Sequence, residues 1–320
     1  MPIRRDPFDL TQPYRAPLWW IGMIGAFALG AVFLFAAWAK ALDPEGFAGQ
    51  IRAQGLELLL PARTLAWIAL ALEAGLGVAL LTGIRRLWVL VPTAALIVFF
   101  LFLTGRDYYR AEHGLAPAAA SCGCFGNLVE RTPEEAFWQD LALLGVPFAL
   151  ALVGRPRGGR LFPPLRTALA TTAALGAVLF AVKAPELPLD NLATRLKPGV
   201  RLASLCAGKG SQATCLNHLT DGLDQGEHLV VLADLDAPAF TGSVAALNAW
   251  ADANRKPPLM VLSASPLASH NAFRWKGPAF PVVEAPEALL RPLYRRLPRS
   301  FRVENGTVTA TYDGLPPLRP

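Results

Sequence analysis

Charged residues are scarce in this sequence. Asp, Glu, Lys and Arg make up 17% of its 320 residues, against about 25% in an average soluble protein. Hydrophobic residues make up 53%, and the mean hydropathy is +0.36. This composition excludes a disordered chain and argues against a fully soluble protein. The net charge is +6, but the sequence has no Lys/Arg-rich run interleaved with aromatic residues, so we expect no nucleic-acid partner.

Cysteine is also rare. Four cysteines in 320 residues are too few for a disulfide-rich scaffold, but they fall in two close pairs and suffice for two bridges or two redox centres. The sequence also lacks a glycine-rich nucleotide-binding pattern, a zinc-protease H-E-x-x-H motif and a G-x-S-x-G elbow. These absences exclude a recognisable nucleotide-binding, zinc-protease or serine-hydrolase site.

Long apolar runs dominate the first half of the chain, residues 1–184, which we predict to be a membrane domain. Each run is close to the roughly 20 residues that cross a bilayer as a helix, and consecutive hydrophobic helices satisfy their backbone in lipid as a bundle. The first run is too long for a signal-peptide core, so we expect it to remain as an anchor. The five predicted spans are 18–40, 64–83, 87–104, 136–153 and 165–183.

The basic residues of this half predict its orientation. They cluster before the first span, between the second and third, and between the fourth and fifth: Arg4, Arg5, Arg15; Arg85, Arg86; Arg155, Arg157, Arg160, Arg166. With five spans these segments share one side, which the positive-inside rule makes cytoplasmic. We therefore expect a multi-pass protein of the bacterial inner membrane, with its C-terminal domain in the periplasm, where cysteines can be oxidised.

Two ionisable residues stand out in the predicted bundle. Glu73 lies in the middle of the second span, where burying a carboxylate costs at least about 2.5 kcal/mol. We expect it to be neutral, or paired with a cation near a helix end such as Lys40, although Lys40 could also snorkel to the interface. Two interpretations stay open: a polar site or proton relay, or an interhelical hydrogen bond that fixes packing. Asp43-Pro44 predicts a turn after the first span.

The loop after the third span contains Ser121-Cys122-Gly123-Cys124-Phe125-Gly126. Gly123 lets the backbone bend enough to bring the two sulfurs together, and a bridge across so short a loop would be strained and oxidising. Cys122 and Cys124 are therefore the candidate redox pair. The same geometry would let two thiolates bind Cu(I), and a third interpretation is that each cysteine only packs within the loop.

Three segments of this half resemble the MauE family of methylamine utilisation membrane proteins, within the wider DoxX-like group. They are Trp38-Ala-Lys40 with Asp43-Pro44, Leu72-Glu73 with Gly77 and Gly83, and Cys122-Gly-Cys124-Phe-Gly126. The resemblance covers about residues 17–153, and the cysteine motif is its most specific part. It implies a four-helix membrane core, here extended by a fifth span, and a role in maturing a disulfide-rich periplasmic enzyme beside a thioredoxin-like partner.

After a Pro-rich segment, predicted as a linker over 185–197, the composition becomes that of a globular domain over 198–320. Apolar runs predict strands at 228–235 and 258–263, and helices are expected after each of them and over 287–295. Asn305-Gly306 predicts a hairpin turn between two terminal strands. This order predicts an α/β layer fold with one parallel pair at its centre.

This half resembles thioredoxin-like domains over about residues 198–316. The resemblance implies that Pro298 is the family's cis-proline, a binding position before the last hairpin. It also implies a Cys-x-x-Cys dithiol after the first central strand, where this sequence has Ala237-Pro-Ala-Phe240. A thioredoxin-like shape that lacks the dithiol is expected to dock or clamp another protein.

Cys206 and Cys215 flank a Gly/Ser-rich loop, for which three interpretations stay open. The first is a structural disulfide, which an oxidising compartment favours. The second is a second dithiol that exchanges with Cys122 and Cys124. The third is an incomplete metal site that also includes His218. We therefore assign no metal to the sequence.

Three functions follow from these patterns, in order of preference. The first is a membrane thiol–disulfide oxidoreductase that acts on a periplasmic client through Cys122 and Cys124. The second is a non-catalytic assembly factor whose soluble domain binds its partner. The third is a Cu(I)-handling protein at the same cysteines; otherwise we expect no cofactor. The expected partners are the client, a thioredoxin-like protein and the lipid bilayer.

Overall fold

The computed structural model describes residues 16–57, 60–115, 131–156, 163–208, 213–220, 222–252 and 257–317. The chain divides into two compact units, Met1–Leu187 and Pro188–Pro320. The division follows the change in composition, because the first unit contains the apolar spans and the second contains the strands.

Among the described residues of the first unit, five helices are long and apolar enough to cross a membrane, in agreement with the five predicted spans. They are α1 (Ala16–Leu42), α3 (Ala62–Leu81), α4 (Leu87–Glu112), α5 (Pro133–Asp140) continued through a π-helical turn (Leu141–Gly145) into α6 (Val146–Val153), and α7 (Pro164–Lys183). Helix α4 extends beyond its predicted end at residue 104. It accommodates Asp107 in its last turns because this carboxylate is buried against a polar partner rather than exposed to lipid.

A short helix that the hydropathy pattern did not predict, α2 (Pro44–Ala53), follows α1. Asp43 caps its first turn by accepting a hydrogen bond from the Gly46 N–H at 3.0 Å, so the predicted turn at Asp43-Pro44 also begins a helix. The buried face of α2 packs on the start of α3, through Ala48 and Ile51. Helix α2 therefore covers one end of the bundle.

Small residues let the membrane helices approach one another closely. A Cβ atom on Gly30 of α1 would lie 2.8 Å from the carbonyl oxygen of Gly77 on α3. A Cβ atom on Gly22 would lie 2.6 Å from the Cα of Gly154, just after α6. Close backbone contact supplies the van der Waals packing that holds helices together in lipid.

The fifth membrane helix, α7, packs against the other helices through alanines. Ala181 shares a buried cluster with Ala37 and Ala41 of α1 and with Leu70 and Ala74 of α3. The fifth span is therefore a part of the bundle and does more than tether the second unit.

The first two strands of the second unit, β1 (Cys206–Ala207) and β2 (Thr214–Cys215), form a separate ribbon. The main sheet contains β3 (Glu227–Leu232), β4 (Leu259–Ser263), β5 (Val282–Glu284), β6 (Arg299–Glu304) and β7 (Thr307–Tyr312). This sheet is mixed, in the order β5-β4-β3-β6-β7. Strands β3, β4 and β5 are parallel, and β6 and β7 form the antiparallel hairpin. The helices are α8 (Asp190–Ala193), α9 (Pro238–Thr241), α10 (Val244–Asp252), α11 (Leu267–Arg274) and α12 (Glu287–Leu290).

The observed sheet agrees with the predicted parallel pair and terminal hairpin, but it contains one further strand at an edge. Asn305 and Gly306 both have positive φ angles, 48° and 72°, as the predicted Asn-Gly hairpin turn requires. The prediction of one parallel pair was incomplete, because β5 adds a second. With three residues, β5 is too short for a period-two pattern to reveal it.

Side chains of β3 alternate between two cores, one on each face of the sheet. Leu229 and Val231 pack with Phe240 and Phe273 on one face, whereas Val230 belongs to the core on the other face. Because β3 is buried on both faces, its sequence is a continuous apolar run and does not alternate between apolar and polar residues.

The segment predicted as a linker differs in the structure. Residues from Pro188 onward belong to the second unit, and Leu196 is completely buried in its core. The buried Arg299 guanidinium donates a hydrogen bond to the Thr194 hydroxyl at 2.6 Å. Burial lowers the pKa of Arg299, and the carboxylates of Asp190 and Asp313 oppose this shift. The Pro-rich composition did not reveal this docking because its partner is distant in sequence.

Candidate functional site

The structure brings Lys40 and Glu73 together inside the membrane bundle. Lys40 Nζ donates a hydrogen bond to Glu73 Oε1, and the side chains are 1% and 0% exposed. Helices α1 and α3 are antiparallel neighbours, and each Cα–Cβ bond tilts toward the N-terminus of its own helix. The two side chains therefore lean toward each other, and the expectation that Lys40 snorkels to the interface was wrong.

The surroundings of this ion pair are aromatic and apolar. Lys40 Nζ lies 4.9 Å from the ring centroid of Phe100 and 5.2 Å from that of Phe47, within the range of a cation–π interaction. Glu73 Oε2 is buried and has no hydrogen-bond partner among the described residues. An intramembrane ion pair with an unsatisfied carboxylate oxygen is costly, and such residues mark functional sites more often than structural ones.

A cavity of about 340 Å³ lies beside Lys40. It is bounded by the end of α1 and by α2, α3 and α4, and most of its lining is apolar. Ile68, Leu72 and Phe99 line it and are also exposed on the outer surface of the unit, so the cavity reaches the lipid-facing side. The full lining comprises Lys40, Phe47, Gln50, Ile51, Gln54, Leu56, Leu65, Ile68, Ala69, Leu72, Leu96, Phe99, Phe100, Leu103 and Thr104.

A polar cluster that sequence reasoning missed borders this cavity. The side-chain amide of Gln54, which lines the cavity, donates a hydrogen bond to Asp107 Oδ2 at 2.8 Å, and both groups are buried. Arg106 donates to the Gln54 backbone carbonyl at 3.1 Å. The sequence shows a carboxylate, Asp107, shortly after an apolar run. Its partner, Gln54, follows a helix that the sequence did not predict, so the pairing was not foreseeable.

The candidate redox pair, Cys122 and Cys124, lies outside the described residues, and so does the alternative Cu(I) site at these cysteines. The two ends of their loop are described. Near the end of α4, Tyr108 stacks on Phe137 of α5 with ring centroids 5.9 Å apart. Arg131 forms a buried ion pair with Asp140 at 2.7 Å. The ring stack holds the end of α4 against α5, one on each side of the cysteine loop, and the ion pair fixes Arg131 against the end of α5.

The opposite end of the bundle is held by Arg85 in the turn between α3 and α4. Its guanidinium donates to the carbonyl of Trp19 at 3.1 Å and to that of Gly154 at 2.7 Å, and burial lowers its pKa. The start of α1, the α3–α4 turn and the end of α6 therefore meet at one end. This is the end where the predicted cytoplasmic segments should meet.

In the second unit, Cys206 and Cys215 form a disulfide. They lie opposite each other in a two-stranded antiparallel ribbon, β1 (Cys206–Ala207) and β2 (Thr214–Cys215). Because the bridge engages both sulfurs, the alternative of a metal site with His218 does not occur in this structure. Across the described ranges, no group of three or more His, Cys, Asp and Glu residues could hold a metal ion.

The position where a thioredoxin-like dithiol was expected is apolar. Phe240 is completely buried in the core and stacks on Phe273 with ring centroids 5.6 Å apart. The Leu297–Pro298 peptide bond is cis, the conformation expected of Pro298. A second cavity of about 340 Å³, lined in part by Asp234, Asp236 and Leu297, lies where β3 ends.

One family profile matches part of the membrane half of the chain. The sequence profile of the family described as Methylamine utilisation protein MauE matches residues 18–155. No curated protein and no solved structure matches the chain. The matched segment contains Lys40, Glu73 and the cysteine loop, whereas α7 and the second unit lie outside it. Over residues 18–155, this multi-pass membrane protein is therefore similar to the MauE family.

Proposed function

We propose that this protein supports disulfide formation in an extracytoplasmic enzyme of methylamine utilisation, with Cys122 and Cys124 as its redox pair. The family description supports the metabolic role. The observation that carries the proposal is that five helices in the described part of the chain are long and apolar enough to cross a membrane. With five crossings, the loop after α4 and the unit after α7 emerge on the same side, so both cysteine pairs share one compartment. The basic clusters favour the periplasm for that side.

The proposed chemistry is thiol–disulfide exchange. One thiolate of the client attacks the Cys122–Cys124 disulfide and forms a mixed disulfide, and the second client thiolate then displaces the Cys122 or Cys124 sulfur. The client gains one disulfide, and the pair is reduced to two thiols. The packing beside the loop supports this role, since the stack of Tyr108 on Phe137 holds the helices before and after the loop together.

The second unit is proposed to bind the client or a partner protein through a thioredoxin-like fold. Its strand order supports this, with a parallel β3–β4 pair beside an antiparallel β6–β7 hairpin. The buried Phe240 at the expected dithiol position favours binding over thiol exchange. The same observation favours a second candidate function for the whole protein, a non-catalytic assembly factor.

One experiment separates the two functions. Cells carrying a Cys122→Ser/Cys124→Ser variant would be grown on methylamine, and client disulfides would be counted by differential alkylation and mass spectrometry. Cys206→Ser/Cys215→Ser is the matched control, with membrane abundance measured for both. We expect client disulfides to be lost only in the first variant. Unchanged disulfides at normal abundance would overturn the redox function and favour the assembly factor.

A further inference from the structure

We propose that the cavity beside Lys40 binds an isoprenoid quinone. The quinone ring would lie at the Lys40 end, between Phe47 and Phe100, and the isoprenoid tail would leave past Ile68, Leu72 and Phe99 into the bilayer. The binding proposal stands on the cavity, its lining and the Lys40–Glu73 pair, and on neither cysteine pair.

The size and polarity of the cavity select a neutral lipophilic ligand. Its volume of about 340 Å³ falls within the range of small-molecule sites, roughly 300–1,000 Å³. A ligand with a net charge would be desolvated in a mostly apolar lining at high cost. Exposed apolar lining residues at the outer surface, Ile68 and Leu72, give an apolar tail a route into lipid.

The Lys40 end selects a ligand with a planar ring and a carbonyl acceptor. Lys40 is the one charged side chain in the described lining, and its ammonium favours an electron-rich oxygen. The rings of Phe47 and Phe100 lie within 5.2 Å of Lys40 Nζ and offer faces on which a quinone ring can stack. A phospholipid acyl chain would fill the same volume but would present no acceptor to Lys40.

A second observation points to the same place. Glu73, bonded to Lys40 from the side of α3, has its other carboxylate oxygen buried without a hydrogen-bond partner among the described residues. Glu73 does not line the cavity, but through Lys40 it places a buried polar group directly behind the polar end of the cavity.

The redox use of the quinone rests on the proposed function. A Cys122/Cys124 dithiol would pass two electrons and two protons to the quinone, so that the sulfur–sulfur bond forms and the quinone becomes the quinol. This step would restore the oxidised pair after each client disulfide. Binding itself requires neither cysteine.

The test is photo-crosslinking of the full-length protein in nanodiscs with an azido-ubiquinone probe, with ubiquinone-1 as competitor. Labelled peptides would be identified by mass spectrometry. We expect saturable, competable labelling on α2, α3 or α4. Ala69→Trp, which fills the cavity, should abolish it, whereas Ala168→Trp on the exposed face of α7 should leave it unchanged.

A second variant keeps the proposal testable if Ala69→Trp fails to fold. Lys40→Met/Glu73→Gln removes both charges at similar volume, and we expect about a tenfold or greater rise in the half-saturating probe concentration. The same labelling in Cys122→Ser/Cys124→Ser would show that binding survives even where the proposed function fails. Absent labelling, labelling unaffected by Ala69→Trp, or a tightly held lipid that ubiquinone-1 does not displace would overturn the proposal.

Discussion

Lys40 near the end of α1 donates a hydrogen bond to Glu73 in the middle of α3, and both side chains are withdrawn from solvent and lipid. The two charges are 33 residues apart in sequence. They meet because antiparallel helices tilt their side chains toward each other. Lys40 therefore takes part both in the buried contact between α1 and α3 and in the lining of the cavity.

Removing one member of this pair should destabilise the protein more than removing both. Lys40→Met or Glu73→Gln alone leaves a polar or charged group buried without its partner, at a cost of about 3–5 kcal/mol for a lost charge partner. The double variant should recover part of this loss. Thermal unfolding in detergent would measure the three variants, and additive losses in the double variant would contradict the coupling.

The close contact of α1 and α3 makes Gly30 sensitive to any side chain. Gly30→Ala would place a Cβ 2.8 Å from the Gly77 carbonyl, and we expect a loss of about 1–3 kcal/mol from overpacking. Gly176→Ala on α7 is the matched control, because no atom lies within 4 Å of its added Cβ. Thermal unfolding that shows equal effects for the two would refute this account of the interface.

The Cys206–Cys215 bridge should stabilise the ribbon of the second unit. The cysteines are nine residues apart in sequence, and closing a loop of that length is worth about 2–3 kcal/mol. We expect Cys206→Ser/Cys215→Ser to speed hydrogen exchange in peptides from β1 and β2. Cys122→Ser/Cys124→Ser should leave these peptides unchanged, and equal acceleration in both variants would indicate a different cause.

Phe240 should act as a core residue and not as a binding residue. Phe240→Ala removes a fully buried ring that stacks on Phe273, at an expected cost of about 3–5 kcal/mol. Trp275→Ala is the control, since that side chain is 93% exposed and its loss should change stability by less than about 0.5 kcal/mol. Hydrogen exchange of β3 would report both, and a harmless Phe240→Ala would contradict this packing.

Much of the fold was predictable from local patterns. The five spans follow from runs of apolar residues of bilayer length, and the hairpin follows from Asn305-Gly306, because few residues adopt positive φ angles. Glu73 was recognisable as unusual because a carboxylate inside a span is costly wherever its partner lies. Its pairing with Lys40 was one of two expectations for it.

Other features depended on packing between distant segments. Helix α2 escaped prediction because its burial comes from contact with α3, and Asp107 had no visible partner until Gln54 was placed beside it. Residues 188–197 looked like a linker because composition reports flexibility but not docking onto Arg299.

The sequence by itself determined which segments enter the membrane and which turn of the sheet reverses the chain, because solvation and backbone torsions act residue by residue. Only the tertiary structure decided that Lys40 points into the bundle and that a cavity opens beside it. Those properties depend on the crossing of α1, α3 and α4 and on the cover provided by α2, and no local pattern encodes the distance between helices.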